Sequence, residues 1–229
     1  MLNISPTWVM IGLDVVFVAY SLWVLSINKP PGKKSFVIGG LMFSWLAVLH
    51  AGLYNQAIFP QNISGLIFLI IIFSAVGLVG AALLFIPAAK QMLLALDQQQ
   101  LMLLQGIRVF FGAVFLMQAS LGVLPQTFGI LDGFTHISAG FFSLVAAFSI
   151  ATGIQGARRA WFANIFGLLD ILVVASTLAL VLLPDIGPHH SMMYAVFFPA
   201  PLWFWFHVIS IWKLLHERKS VANSAHIYS

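Results

Sequence analysis

The chain has 229 residues, of which 61% are hydrophobic, 14% aromatic and 7% charged, with a mean hydropathy of +1.02 and a formal charge of +4. A soluble domain carries about 25% charged residues, so a water-soluble globule is excluded, while ten basic and six acidic residues suffice for the two rims of a lipid-embedded bundle. The absence of cysteine excludes thiolate zinc sites, cysteine-held iron–sulfur clusters, c-type haem and disulfides, and basic residues dispersed between apolar runs make no nucleic-acid surface.

Seven apolar runs reach the roughly 20 residues needed to cross about 30 Å of hydrocarbon. In chain order they are 8–27, 36–57, 63–86, 105–124, 132–154, 160–183 and 193–215. Lipid offers no partner to an unpaired backbone group, so each run is expected to be a helix. The chain therefore reads as all-α: a polytopic integral membrane protein with one seven-helix transmembrane domain over 1–229. The first run lacks a basic leading segment and is expected to remain as a span. The stretch 87–104, with Asp97-Gln98-Gln99-Gln100 between leucine-rich segments, is expected to prolong the third and fourth helices or to lie along the interface. In the seventh run, Pro199-Ala200-Pro201 removes backbone donors and predicts a kink.

Orientation follows from the basic residues. Lys29, Lys33 and Lys34 follow the first run, Lys90 the third, Arg158 and Arg159 the fifth, and Lys213, Arg218 and Lys219 end the seventh. Arg108 opens the fourth run near the same rim, where a long side chain reaches headgroups without a special role. The alternate loops, 56–62, 125–131 and 184–192, carry no lysine or arginine. The positive-inside rule then puts the N-terminus outside and the C-terminus in the cytoplasm, as expected of a multi-pass protein of a bacterial inner membrane. Each outer turn pairs a proline with a later glycine, as in Pro60 to Gly65, Pro125 to Gly129 and Pro184 to Gly187. The recurrence, after 65 and 59 residues, suggests one helix followed by three hairpins. The expected partners are the bilayer, a small-molecule or ion substrate, and neighbouring membrane subunits.

Function is sought in the ionisable groups inside the runs, because each costs about 2.5 to 3.5 kcal/mol at mid-membrane on insertion scales unless paired or hydrated. They are Asp14, His50, Asp132, His136, Asp170 and His207. At about 1.5 Å per residue, Asp14, His50 and His136 lie about 6 to 10 Å below the outer surface, with Asp132 at the mouth. These four are expected to converge on one outward-facing pocket. Asp132 and His136 are four residues apart and share a helix face that continues through Gly140, Ser143 and Ala147, small residues that suit close helix packing. Asp14, Ser21 and Asn28 form a heptad-spaced polar stripe on the first run. Asp170 and His207 lie deeper, about 12 to 16 Å from the inner surface, and are expected to pair as a structural clasp or proton station.

Imidazole and carboxylate donors suit a transition metal, with a second carboxylate orienting a ligand. The same histidines, His50 and His136, also suit the axial positions of a b-type haem, and an Asp/His/His group suits a proton or ion relay. Pro188-His189-His190-Ser191-Met192-Met193 offers imidazole and thioether donors that favour copper, so His189 and His190 are candidate metal-capturing residues. The expected role is an ion- or cofactor-binding transport or redox component. The alternatives are a metal-dependent membrane hydrolase acting on a lipid or amphiphile, and a non-catalytic assembly subunit. The retinal-binding lysine of microbial rhodopsins has no counterpart here, where His207 and Ser210 occupy the middle of the last run, and no Gly-x-Ser-Gly protease motif occurs.

Overall fold

The computed structural model describes residues 5–27 and 33–227, with side chains described over 5–27 and 35–216. Asn28 of the polar stripe and Lys29 lie outside the described residues, as do the side chains of Lys33, Lys34, Arg218 and Lys219.

The described elements are all helical: α1 (Pro6–Leu25), α2 (Lys33–Tyr54), α3 (Gly65–Phe85), α4 (Pro87–Ala95), α5 (Gln98–Gly106), α6 (Arg108–Ser120), α7 (Gln126–Ala151) and α8 (Gly156–Thr177). A π-helical turn, Leu178–Leu182, extends α8 into α9 (Leu183–Ile186), and α10 (Met193–Phe197) and α11 (Pro199–Ile227) complete the chain. Six helical stretches are long and apolar enough to cross a membrane: Pro6–Leu25, Ser35–Tyr54, Gly65–Phe85, Gln98–Ser120, Gln126–Ala151 and Gly156–Ile186. Their outward faces carry large exposed apolar side chains such as Phe36, Val48, Leu78, Phe110, Phe148 and Val181.

Three of the expected runs differ from the structure, the fifth in that α7 begins at Gln126 rather than at residue 132 and takes in most of the expected turn 125–131. The fourth begins at Gln98 rather than residue 105, because Asp97 and Gln100 form a capping box: Asp97 Oδ1 accepts from the Gln100 amide at 2.7 Å, and Gln100 Oε1 accepts from the Asp97 amide at 3.1 Å. The seventh is broken at Phe198, whose φ of −113° and ψ of −75° depart from the helical minimum immediately before Pro199. The kink thus lies where the prolines predict it. In the stretch 87–104, residues 98–104 prolong the fourth span as expected, while 87–95 form the separate short helix α4, and Lys213 Nζ on α11 donates to the Leu94 and Leu96 carbonyls at its end.

Packing is closest where side chains are smallest. α7 lies along α5, α6 and α8, and α11 lies against α3, α5 and α8. A Cβ on Gly112 of α6 would stand 2.4 Å from the Gly133 carbonyl of α7, and one on Gly140 would stand 2.7 Å from the Val109 amide. These helices therefore touch backbone to backbone. At Gly80 of α3 the space of a Cβ is filled by the Trp205 indole of α11, which donates Nε1–H to the Val76 carbonyl at 2.8 Å. Gly77, one turn away on the same helix, has nothing within 4 Å.

Gly112→Leu is expected to lower stability by about 3 kcal/mol or to prevent assembly, because backbone cannot yield as a side chain does. Thermal unfolding of detergent-purified protein measures this against Gly77→Leu, which is expected to match the parent. Equal midpoints for the two variants would contradict the α6–α7 packing.

Candidate functional site

The close α6–α7 contact sets the site. α7 presents Asp132 and His136 one turn apart, both buried, on the face that continues through buried Gly140, Ser143 and Ala147. Opposite stand Arg108 at the start of α6, Asp170 on α8 and His207 on α11. Asp132, Arg108 and His207 have no exposed surface.

Arg108 is the hub. Its Nη2 donates to Asp170 Oδ2, and its Nη1 lies 3.2 Å from His207 Nε2 and 3.4 Å from the Gly167 carbonyl. Its guanidinium lies 5.2 Å from the Trp203 ring centre, within cation–π range. Guanidinium nitrogens only donate, so His207 Nε2 must be the acceptor and Nδ1 must carry the proton. That proton goes to Asn164 Oδ1 at 2.9 Å, and Asn164 Nδ2 donates to Ser210 Oγ at 2.6 Å. Gln98 Nε2 donates to the same hydroxyl. A hydrogen-bonded chain thus runs from Arg108 through His207, Asn164 and Ser210 to Gln98 at the start of α5.

The other half of the cluster is less satisfied. His136 Nδ1 stands 2.8 Å from Asp132 Oδ1 and 3.3 Å from Asp170 Oδ2. These are contact distances without hydrogen-bond alignment, so both Asp132 oxygens, Asp170 Oδ1 and His136 Nδ1 have no hydrogen-bond partner. One donor atom from each of Asp132, His136 and Asp170 lies within 4.8 Å of the others. Two carboxylates against one guanidinium, with neutral imidazoles, leave a formal charge of −1 in this buried space. Phe115 and Trp203 meet the His136 ring edge-on at 5.4 and 5.8 Å.

Asp14 and His50 do not join this group. His50 on α2 has Nδ1 2.8 Å from the Tyr194 hydroxyl of α10, and Trp8, Tyr54 and Tyr194 surround its ring at 5.5 to 6.0 Å. Asp14 is fully buried on α1, its oxygens unpartnered. The expected four-residue pocket is therefore divided, because equal depth does not set helix rotation: α2 packs on α1 and α10, whereas α7 packs on α5, α6 and α8. Paired axial ligation of a haem by His50 and His136 has no basis in this arrangement. Asp170 and His207 do meet, but through Arg108 and not directly.

In the loop between α9 and α10, His190 Nδ1 accepts from the Met192 amide at 3.2 Å and Nε2 faces the Val123 carbonyl at 3.1 Å, so both nitrogens serve backbone. The His189 ring lies 5.9 Å from Phe59 with both nitrogens unpartnered. Burial lowers the pKa of both imidazoles below the usual histidine value.

Arg108, expected to reach headgroups at the rim without a role, is instead fully buried and paired with Asp170, and Asn164 carried no expectation from sequence. The signal for Arg108 was the Asp97-x-x-Gln100 box: a helix starting at Gln98 puts Arg108 about 15 Å from that start and so not at the end of the helical stretch. Asn164 carried no comparable mark.

The family model described as a domain of unknown function, DUF8737, matches residues 63–215. The chain belongs to the DUF8737 family. The matched segment of DUF8737 contains Arg108, Asp132, His136, Asn164, Asp170 and His207, while Asp14 and His50 lie outside it. No curated protein and no solved structure matches the chain.

A Cβ on Gly167 would stand 2.2 Å from His207 Nε2 and 3.2 Å from Arg108 Nη1. Gly167→Ala is therefore expected to displace His207 from Arg108 and to destabilise by about 1 to 3 kcal/mol. Imidazole nitrogen NMR of His207, with a thermal midpoint, checks both; a variant with parental shifts and midpoint would contradict the contact.

Proposed function

We propose that this chain is a seven-span protein of a bacterial inner membrane, N-terminus outside, which binds a cation at Asp132, His136 and Asp170 and couples its passage to transport. The proton is the first candidate. α11 is taken as the seventh crossing: its prolines, His207 and Lys213 lower its apolarity, yet Trp203, His207 and Ser210 are buried against other helices rather than turned to lipid. The basic residues grouped on alternate loops support the orientation.

The observation that carries the reading is the convergence of unpartnered donor atoms from Asp132, His136 and Asp170; with both imidazoles neutral, the two carboxylates and one guanidinium leave one negative charge to be balanced. An unpaired charge in such a setting costs several kcal/mol. A single bound proton, shared by His136 and the carboxylates, closes the balance. When it leaves, Asp132 and Asp170 compete for the same guanidinium, and any shift of Arg108 toward Asp132 loosens its contact with His207. Occupancy on the α7 side is thereby linked to the His207–Asn164–Ser210–Gln98 chain. Arginine does not give up its proton, so Arg108 also blocks a continuous proton wire between the two halves. Protons therefore cross only as the cluster opens to one side and then to the other.

A transition metal is the second reading, favoured by the three clustered ligand atoms. Asp132, His136 and Asp170 would hold it, but a divalent ion would face the Arg108 guanidinium across Asp170. The charge balance therefore favours a monovalent cation.

Full-length protein in liposomes, loaded with a pH-sensitive dye, tests the proposal. A proton flux above empty liposomes is expected, with Asp132→Asn and His136→Gln each lowering it about tenfold or more and Asp185→Asn leaving it unchanged. Flux equal to empty liposomes for the parent, or parental flux in both cluster variants, would overturn the reading.

A further inference from the structure

Asp132 and His136 are also the floor of a cleft. Its walls are apolar, formed by Val76 of α3, Ile171 and Val174 of α8, Leu178 of the π-helical turn, Ala195 of α10 and Phe204 of α11. Phe73, exposed on the outward side of α3, stands at its rim. Among the lining residues Asp132 and His136 are the only ionisable ones. A path for water or a small hydrated ion does not call for hydrocarbon walls, whereas a molecule arriving from the bilayer does.

Two irregularities of the backbone border the cleft. Leu178, on one wall, begins the π-helical turn Leu178–Leu182, where the backbone bonding pattern widens. On another wall, the break at Phe198 separates Ala195 from Phe204. The cavity volume is about 40 Å³, room for a water or two, or for a compact ammonium group. A larger guest needs the walls to part, and helices yield most readily at such defects.

We infer that this cleft binds a lipophilic organic cation, its charged centre against Asp132 on the floor and its apolar body between α3, α8 and α11, in exchange for the bound proton. This rests on the cation-binding reading of the cluster and deepens it by naming the substrate class. Charge decides the sign of the guest. A site with two carboxylates and one guanidinium accepts one positive unit, as a proton or as an organic cation, and not both. The proton leaves as the cation arrives, so the buried charge stays balanced at each stage. The titratable groups facing the floor are Asp132 and His136 from α7, Asp170 from α8, Arg108 from α6 and His207 from α11. The α3 and α10 residues lining the cleft add none.

Calorimetric titration of the full chain in nanodiscs with tetraphenylphosphonium, and with tetraphenylborate as its equal-shaped anion, tests this. Saturable binding of the cation alone is expected, with release of one proton per cation, read by repeating the titration in buffers of different ionisation enthalpy. Asp132→Asn is expected to abolish proton release. Val174→Trp, which fills the cleft, is expected to weaken binding about tenfold or more, equivalent to about 1.4 kcal/mol, while lipid-facing Gly77→Leu binds as the parent does. Equal binding of both ions, or cation binding unaffected by Asp132→Asn and Val174→Trp, would mean partition into lipid and would overturn the inference. Absence of cation binding alongside a proton flux that depends on Asp132 would overturn the inference alone; absence of both would overturn the cation-binding reading with it.

Discussion

The Arg108 guanidinium, without exposed surface, holds Asp170, His207 and the Gly167 carbonyl at once, and α6, α8 and α11 meet around it. A buried ion pair does not by itself stabilise a fold, since desolvation of both partners offsets most of the attraction. What it does is make the alternatives costly. With Arg108 in place, Asp170 cannot turn to lipid and His207 is confined to one tautomer, bound to Asn164. The orientation of three helices follows from satisfying one side chain.

That demand explains the distribution of small residues. Gly167 leaves the space that His207 occupies, and the glycines of α6 and α7 let two backbones touch so that Asp132 and His136 reach the same cluster. Glycine costs about 1 kcal/mol relative to alanine in a helix, and here close approach accounts for it. In lipid the hydrophobic effect does little to join helices, so contact of this kind and buried polar bonds carry association. The same side chains that assemble the bundle thus carry the charge that makes it chemically capable. One half, His207 to Gln98, is linked by hydrogen bonds with Gln98 Oε1 left over, whereas in the other both Asp132 oxygens and His136 Nδ1 lack one, and function is sought in that less satisfied half.

Much of the architecture was legible from apolar run length alone, and the prolines at 199 and 201 marked the break before α11 correctly. The spacing of Asp132 and His136 also placed them on one inward face, because four residues make about one helical turn. Depth along a helix follows from counting, but rotation about it does not, which is why Asp14 and His50 were grouped with residues that they do not touch. Arg108 was hidden differently. Its depth depended on where α5 starts, and an apolar-run criterion passes over Gln98, Gln99 and Gln100, whereas the capping chemistry of Asp97 does not. Asn164 became meaningful only when His207 was seen beside it.

A double-mutant cycle between Arg108 and Asp170, read by reversible unfolding of the purified protein in detergent, tests the central interaction most directly. Arg108→Met and Asp170→Leu, taken singly, each strand a buried charge and are expected to cost about 3 to 5 kcal/mol. The double variant strands neither member of that pair, and its loss is expected to fall well below the sum, with a coupling of about 2 kcal/mol or more. Additive losses would contradict the conclusion that one guanidinium and one carboxylate, paired in the bundle interior, organise this fold.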